Sequence, residues 1–530
     1  MTAGALYQLK LNRNAENNFL DFDPQITFFK VVYRKHTRFS MENIEFDPLT
    51  RQTLDFNESI IMQANVPRNG DLLKNVYLTF NLPDIYSGHY QSSDSNYYNY
   101  EFQWIKNIGI NIFNYISIKI SDQEIDRTYS DYYYIWKELT MNDEKKELLD
   151  EMVGNIADLY DPANGTGNNT TYPSITSGDT NSEVSSRWSN MDTDNIINYS
   201  QKTNATYPSI KSRTIRVPLN FWFCNDVGLA LPLIALQYSK VSFEIEMKAF
   251  RDLYTIKDVE SNNVNSISKR IKPSDTSRYN MSNFTTNYNF NISPKLEGEY
   301  IFLDDEERRR FAVNDHDYLI KQTRITEPTG VIISSTKEET EVKLSAAFNP
   351  VSHLAWVIKR DDMSKVNEWN NYTNWIYPNI PPDSHQYSNQ IDKYNFEGSS
   401  KLFYDENEST HRNFYEPSSF KKHILTKVRL EFDGTNRVNK TADYFKNQQI
   451  YQHFDIKPDD GIYVYSFSLK PYEYQPSGSC NFSSINNTKL YLSQDIIEGF
   501  TFYSHKAYVY IISYNILTIT NGIGNMKFSN

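Results

Sequence analysis

The chain has 530 residues, which is enough for two large all-β domains or about three ordinary ones. Its 40 Tyr and 31 Phe raise the aromatic share to 15%, and these residues favour β-strands. The net charge of −12 argues against a general affinity for nucleic acid or anionic membranes.

The first predicted elements are an N-terminal arm and a strand. Residues 1–22 form the arm, for which docking on a neighbouring molecule and a disordered tail both remain open. Residues 23–37 are rich in apolar and aromatic side chains, begin at Pro24 and end in the basic run 34–36. This pattern predicts a β-strand buried on at least one face. Its candidate inward-facing residues are Ile26, Phe28, Val31 and Val32.

The rest of the first half alternates apolar and polar residues in short runs at 75–82, 115–121 and 241–247. A period of two predicts half-buried antiparallel strands. Residues 134–152 instead contain Glu, Lys and Leu in a pattern that predicts a short amphipathic helix. Residues 153–212 are rich in Ser, Thr, Asn and Gly, and we expect them to form a long surface loop.

A second dense apolar motif lies at residues 217–238 and includes Phe221, Trp222 and Pro232. We interpret it as core and a rigid Pro-containing connector, which serves function by fixing the fold.

The second half repeats this plan. A polar region near 259–290 predicts a linker at 256–294, followed by a helix for which Asp304 is the predicted N-cap. The arginines at 308–310 stand beside four acids, which favours ion pairs within or between subunits over contact with DNA. Alternation then resumes in four runs around a second long surface loop at about 361–423. These runs are residues 342–344, 354–358, 428–432 and 462–469.

The two halves therefore predict two barrel-like antiparallel sandwiches in tandem, interrupted by long loops. We assign the first sandwich to residues 23–255 and the second to residues 295–530.

Several of these segments resemble the major capsid proteins of large icosahedral double-stranded DNA viruses, the giant-virus, phycodnavirus and iridovirus group. They are residues 23–37, 217–238, 296–311, 475–483 and 514–530. The resemblance covers nearly the whole chain, although residues 13–17 depart from the family pattern. It implies an all-β fold of two tandem antiparallel jelly rolls with a few short helices. The fold and assembly signature it implies comprises Pro24, Gln25, Thr27, Phe28, Phe29, Tyr33, Arg34, Phe221, Trp222, Pro232, Glu307, Arg308, Phe311, Gln475, Pro476, Gly478 and Asn481.

The function implied by the resemblance is a structural one. Three copies would form a pseudo-hexagonal capsomer that tiles an icosahedral shell assembled in the host cytoplasm. The expected partners are further copies of the chain and minor capsid or cement proteins, with at most indirect contact to an internal viral membrane and no direct contact to nucleic acid. Two alternatives remain open: a minor, penton or scaffold paralogue of the same fold, and a carbohydrate-binding jelly roll using exposed Trp369 and Trp375.

Motifs of enzymes and cofactor sites are missing from the sequence: there is no P-loop, Gly-x-Ser-x-Gly, His-Glu-x-x-His or Cys-x-x-Cys. We therefore expect neither enzymatic activity nor a cofactor or metal. His316, flanked by two acids, is the best titratable candidate, but we interpret it as a surface histidine. Only Cys224 and Cys480 occur, which predicts a reducing compartment, and the N-terminal residues predict no secretory signal. The glycosylation sequons at Asn164, Asn169, Asn198 and Asn204 are expected to be incidental.

Overall fold

The computed structural model consists of antiparallel sheets and short helices, which confirms the all-β class. The residues it describes are 3–11, 22–46, 50–51, 53–85, 100–168, 172–173, 208–258, 269–271, 290–331, 339–361, 363, 367–374, 422–494 and 505–528.

Fourteen strands lie before residue 304 in the described part of the chain. They are β1 (Phe39–Glu45), β2 (Thr53–Leu54), β3 (Ile60–Asn65), β4 (Leu72–Leu82), β5 (Tyr100–Trp104), β6 (Phe113–Ile120), β7 (Gln123–Tyr129), β8 (Arg213–Pro218), β9 (Leu231–Pro232), β10 (Val241–Met247), β11 (Tyr254–Asp258), β12 (Lys269–Ile271), β13 (Phe290–Asn291) and β14 (Lys295–Leu303). Eight of them form two facing sheets, β1-β14-β4-β8 and β3-β10-β6-β7. We call this unit the first roll.

The second roll is built from the remaining strands. They are β15 (His316–Ile325), β16 (Thr329–Val331), β17 (Glu339–Lys343), β18 (Pro350–Arg360), β19 (Leu425–Phe432), β20 (Thr435–Thr441), β21 (Ile462–Ser466), β22 (Cys480–Asn481), β23 (Thr488–Gln494), β24 (His505–Thr520) and β25 (Ile523–Met526). Its main sheets are β15-β24-β18-β21 and β17-β23-β19-β20.

The two rolls have the same topology. When the eight main strands of each roll are counted in chain order, one sheet contains the first, eighth, third and sixth strands, and the other contains the second, seventh, fourth and fifth. Each pairing between these strands is antiparallel. Two sandwiches of this kind in tandem are the predicted double jelly roll.

The strand pairing corrects the predicted domain limits. Strand β14 lies between β1 and β4, so residues 295–303 complete the first roll instead of starting the second. The predicted linker at 256–294 is therefore an excursion within the first roll, between its seventh and eighth main strands. The second roll begins at β15, and a short connection containing one helix joins the two units.

The structure also overturns the prediction of a buried strand at residues 23–37. These residues form no strand, and the first strand of the sandwich is β1, which starts at Phe39. The side chains of Ile26, Phe28, Val31 and Val32 are between 71% and 91% exposed. Among the described residues, no other part of the subunit covers these side chains.

Short helices connect the strands. They are α1 (Ala3–Leu11), α2 (Ile108–Asn111), α3 (Ser130–Thr140), α4 (Asp143–Val153), α5 (Ala157–Tyr160), α6 (Trp222–Asn225), α7 (Asp305–Val313) and α8 (Gln449–His453). The single helix predicted at 134–152 is two helices, because Asn142 begins α4 by accepting a hydrogen bond from the Lys145 backbone N–H at 3.1 Å. No helix among the described residues is long and apolar enough to cross a membrane.

Strands β18 and β24 hold the two rolls together. Because successive side chains of a strand point to opposite faces, Leu354 and Trp356 of β18 enter the core of the second roll, whereas Ala355 and Val357 join a core shared with the first roll. Strand β24 divides its side chains in the same way. Both faces of this sheet are therefore buried, and the rolls pack as one block.

Helix α7 fastens the connection between the rolls. Asp304 is its N-cap, as predicted, with the carboxylate accepting from the Asp305 backbone N–H at 2.9 Å. The Arg308 guanidinium lies 2.9 Å from the buried carboxylate of Asp71 in the first roll. Arg310 pairs with Glu306 at 2.5 Å on the helix surface. The expectation that arginines here make ion pairs within the subunit is confirmed for these two.

Candidate assembly surfaces

A carboxylate between the rolls joins elements that are far apart in sequence. Asp131 of α3 receives the Lys359 ammonium at 2.5 Å, the Tyr510 hydroxyl at 3.2 Å and the Tyr372 hydroxyl at 3.4 Å. Burial, followed by the nearby Asp131 charge, raises the pKa of both tyrosines well above its usual value, so both stay protonated donors. This network orients the second roll on α3.

A second contact between the rolls joins strand β15 to strand β7. The Gln322 side-chain amide donates to the Ile125 carbonyl, and the Thr323 backbone N–H donates to the Asp126 carboxylate at 3.2 Å. Burial raises the pKa of Asp126 to about 7, even though two backbone N–H donors favour its charged form. Asp126 is therefore a titratable group inside the contact between the rolls.

Trp369 is part of this contact as well. Its indole N–H donates to the Asp252 carbonyl at 2.9 Å, and the Lys248 ammonium lies 4.2 Å from its ring centroid. Burial lowers the pKa of Lys248 to about 8. The proposed role of Trp369 as an exposed sugar platform is thus wrong, and Trp375 lies outside the described residues.

A cleft of about 340 Å³ opens where the rolls meet. Its walls mix polar and apolar side chains from both rolls, and the apolar ones include Trp222, Leu229, Leu319, Phe454 and Ile512. Asp126, Lys321 and His353 are among the titratable groups that line it. Burial lowers the pKa of Lys321 to about 8 and that of His353 to about 3, which keeps the imidazole neutral.

The mouth of the cleft is formed by the turn after β21. Tyr472 and Tyr474 line it and are 37% and 43% exposed. The Lys321 ammonium donates to the carbonyls of Pro471 and Glu473 at 2.7 and 2.6 Å, which fixes this turn against the sheet. Two carboxylates stand at the rim: Asp226 lines the cleft, and Asp455 accepts from the Tyr472 hydroxyl at 2.9 Å.

Among the described residues, the most exposed apolar surface is residues 24–38, which we call the aromatic segment. Six of its apolar side chains are 71–98% exposed, with Phe29 the most exposed at 98%. Exposed apolar patches of this size on a folded subunit mark interaction sites.

Catalytic or metal chemistry finds no support at the predicted candidate. The His316 ring lies 2.8 Å from the Phe311 carbonyl and stacks between Phe311 and Tyr318, so it is a packed residue rather than a surface histidine. Among the described residues, no group of three or more His, Cys, Asp or Glu side chains could hold a metal ion.

Comparisons with known proteins agree along the whole chain. Residues 27–304 match the family model described as major capsid protein N-terminus, and residues 307–525 match the model described as large eukaryotic DNA virus major capsid protein. The major capsid protein of Phaeocystis pouchetii virus is 30% identical, with both chains covered completely. That of Paramecium bursaria Chlorella virus 1 is 26% identical, again over both whole chains.

The chain belongs to the family of large eukaryotic DNA virus major capsid proteins.

Solved structures of this family share its fold. The quasi-atomic model of the PBCV-1 virus capsid matches with a TM-score of 0.62 at 22% identity and covers 95% of this chain and all of its own. The Faustovirus major capsid protein matches with a TM-score of 0.58 at 12% identity, covering 94% and 93%. These likenesses confirm the double jelly roll.

The signature residues of this capsid protein lie in four separate places. Pro24, Gln25, Thr27, Phe28, Phe29, Tyr33 and Arg34 belong to the aromatic segment and are exposed. Phe221, Trp222 and Pro232 are buried in the first roll. Glu307, Arg308 and Phe311 lie on α7, where Phe311 packs against Leu72, Ala230 and Ile301. Gln475, Pro476, Gly478 and Asn481 follow the turn at the mouth of the cleft.

Two of these groups meet at the cleft, because Trp222 lines it together with the turn that precedes Gln475. Gly478 has φ of +136°, and a Cβ there would lie 2.9 Å from the Phe467 carbonyl oxygen, so only glycine fits this turn without strain. The residues of the proposed signature are thus packed in the first roll and, through Phe311, at α7, whereas those of the aromatic segment and of the turn at 475–481 are exposed.

The remaining predictions on glycosylation fall mostly outside the described residues, as Asn169, Asn198 and Asn204 do. Asn164 is exposed, and its amide donates to Asp161 at 2.7 Å.

The network around Asp131 was missed by the sequence reasoning, since its four members lie on elements that only the fold brings together.

Proposed function

We propose that this chain is the major capsid protein of a large double-stranded DNA virus, and that three copies form a pseudo-hexagonal capsomer that tiles an icosahedral shell. The role is structural, with no reaction to catalyse. The observation that carries the proposal is the identical strand order of the two rolls in a chain of this capsid family.

The geometry supports a closed three-fold ring. Each chain supplies two sandwiches of the same topology, so three chains around one axis give six similar walls. A ring built from such blocks needs each pair of sandwiches to keep a fixed angle. The shared core and the network around Asp131 supply that rigidity.

The test is the mass of the purified protein in solution, measured by analytical ultracentrifugation over a hundred-fold dilution. We expect a stable species of three times the 62.2 kDa chain mass. A monomer at all concentrations would contradict the capsomer.

One alternative has an observation in its favour. Two different capsid proteins of one virus, Acanthamoeba polyphaga mimivirus, match this chain: capsid protein 1 at 25% identity and probable capsid protein 4 at 24%. A single virus can therefore carry paralogues of this fold, and the chain could occupy a minor, penton or scaffold position. Electron microscopy separates these roles, because hexagonal sheets support the major capsid protein and pentameric rings support the paralogue.

The proposed partners follow from the shell. They are neighbouring capsomers and minor or cement proteins at the joints between them, with no direct contact to nucleic acid. The proposed location is the virion, after assembly in the host cytoplasm. Pull-down of partners from purified virions under mild dissociation, followed by mass spectrometry, tests this list.

A further inference from the structure

The aromatic segment offers side chains of a size that the cleft between the rolls can hold. The segment offers adjacent Phe28 and Phe29 side chains, 89% and 98% exposed, on a stretch of backbone that forms no strand or helix. The cleft has a volume of about 340 Å³, and its mixed lining includes the apolar side chains of Trp222, Phe454 and Ile512. That volume lies within the range of about 300–1,000 Å³ typical of ligand pockets and is ample for one aromatic side chain.

The two surfaces are also complementary in charge. Residues 24–38 carry four cations, Lys30, Arg34, Lys35 and Arg38, and no acidic residue. None of these cations makes an ion pair with a described residue of its own subunit. The rim of the cleft carries Asp226 and Asp455, which likewise make no ion pair within the described part of the chain.

The rim is not uniformly acidic. Lys145 also lines the cleft, and Lys470 pairs with Glu473 at 2.6 Å. Lys470 also lies near Asp455, so the rim carries charges of both signs. Asp226 and Asp455 are the rim carboxylates with which an incoming basic segment would pair.

The same chain does not bring these surfaces together. The hydrogen bonds and ring contacts of the aromatic segment in the structure are local, from Phe29 to Thr27 and from His36 to Thr37 and Phe39. Within the described residues the segment does not reach the cleft of its own subunit, and a second copy of the chain offers the matching surface.

We propose that the aromatic segment of one subunit docks into the cleft of a second copy, with the side chain of Phe28 or Phe29 seated between the two rolls. The proposal rests on the proposed trimer and names the surfaces that hold it. An aromatic anchor in a concave apolar pocket, flanked by charge pairs, is the arrangement that dominates the energy of protein interfaces. It also explains why a motif rich in apolar residues lies unburied on the isolated subunit.

The first test compares three variants by analytical ultracentrifugation. Phe28→Asp combined with Phe29→Asp changes the segment, and Tyr474→Asp changes the mouth of the cleft. Val313→Asp is the matched control, because Val313 is 81% exposed on α7 and takes no part in the proposal. We expect the first two to raise the concentration for trimer dissociation at least ten-fold with unchanged monomer circular dichroism, and the control to leave it unchanged.

The second test locates the contact directly. A photo-crosslinking amino acid replaces Phe29, and unlabelled subunits are mixed with ¹⁵N-labelled ones before assembly. We expect crosslinked peptides that join residue 29 of one isotopic form to residues 222–229 or 471–474 of the other. Crosslinks confined to one chain, or crosslinks that reach other surfaces, would overturn the proposal.

These outcomes separate the two proposals. A wild-type trimer that the segment and cleft variants leave intact overturns the docking proposal and leaves the capsomer standing. A wild-type monomer overturns both.

Discussion

Two aromatic motifs of this chain look alike in sequence and differ completely in the fold. Residues 217–238 place Phe221 and Phe223 in the first roll with no exposed surface, and their rings stack at 5.9 Å. Residues 24–38 place Phe28 and Phe29 almost wholly in solvent. Apolar density therefore identifies a surface that needs covering, but not which chain covers it. In a protein that functions by assembly, the second kind of motif is as informative as the first.

The largest expected effect tests the buried motif. Phe221→Ala removes a ring that contacts Phe223 and Phe243, and we expect it to lower the free energy of unfolding by about 3–5 kcal/mol. Urea denaturation followed by circular dichroism measures this. A loss below about 1 kcal/mol would contradict the role of residues 217–238 as core.

The next largest expected effect is a pH dependence of the free energy of unfolding, which arises from Asp126 in the contact between the rolls. Its pKa is raised from an ordinary value of about 4 to about 7, so the folded state holds a proton that the unfolded state has lost between these values. Stability should therefore be greatest below pH 4 for this group and fall as pH rises to 7, by about 2–4 kcal/mol. The Asp126→Asn variant should lose this part of the pH dependence in urea titrations at pH 4–8. An unchanged slope would show that Asp126 is not buried in the contact.

Two arginines on α7 allow a buried ion pair to be compared with an exposed one on the same helix. Arg308→Ala leaves the buried Asp71 carboxylate without its ion pair, and we expect a loss of about 1–3 kcal/mol. Arg310→Ala removes an exposed pair with Glu306 and should cost about 0.5 kcal/mol or less. Thermal unfolding of both variants under one buffer measures the difference. Equal effects would contradict the anchoring of α7 through Asp71.

The smallest expected effect concerns the exposed motif. Phe28→Ala should change the free energy of unfolding of the isolated subunit by no more than about 0.5 kcal/mol, since the ring contacts little in that subunit. Denaturation at concentrations below trimer dissociation provides the measurement. A loss comparable to that of Phe221→Ala would erase the difference between the two motifs.

Local patterns in the sequence predicted most single elements. The alternation at 241–247 matches β10 residue for residue, and Asp304 begins a helix as its side chain and the acids after it indicate. The helix at 134–152 was right in type but was divided by the cap at Asn142. These features depend on neighbours within a few residues, which a single sequence displays.

Pairings between distant strands were not predictable in the same way. A polar excursion at 259–290 looks like a linker, although the next strand returns to lie between β1 and β4. The carboxylate of Asp131 meets Lys359, Tyr372 and Tyr510 only after both rolls are packed. Residues 24–38 are exposed in a single subunit, and an apolar-rich sequence does not indicate whether its own chain covers it.

The strand order has a consequence for synthesis. In each roll, the eighth main strand lies inside its sheet, with β14 between β1 and β4 and β24 between β15 and β18. A growing chain therefore keeps open strand edges until that strand leaves the ribosome, and such edges pair readily with other molecules. We expect nascent chains to depend on chaperones during translation, first until residue 303 has emerged and then again until β24 has.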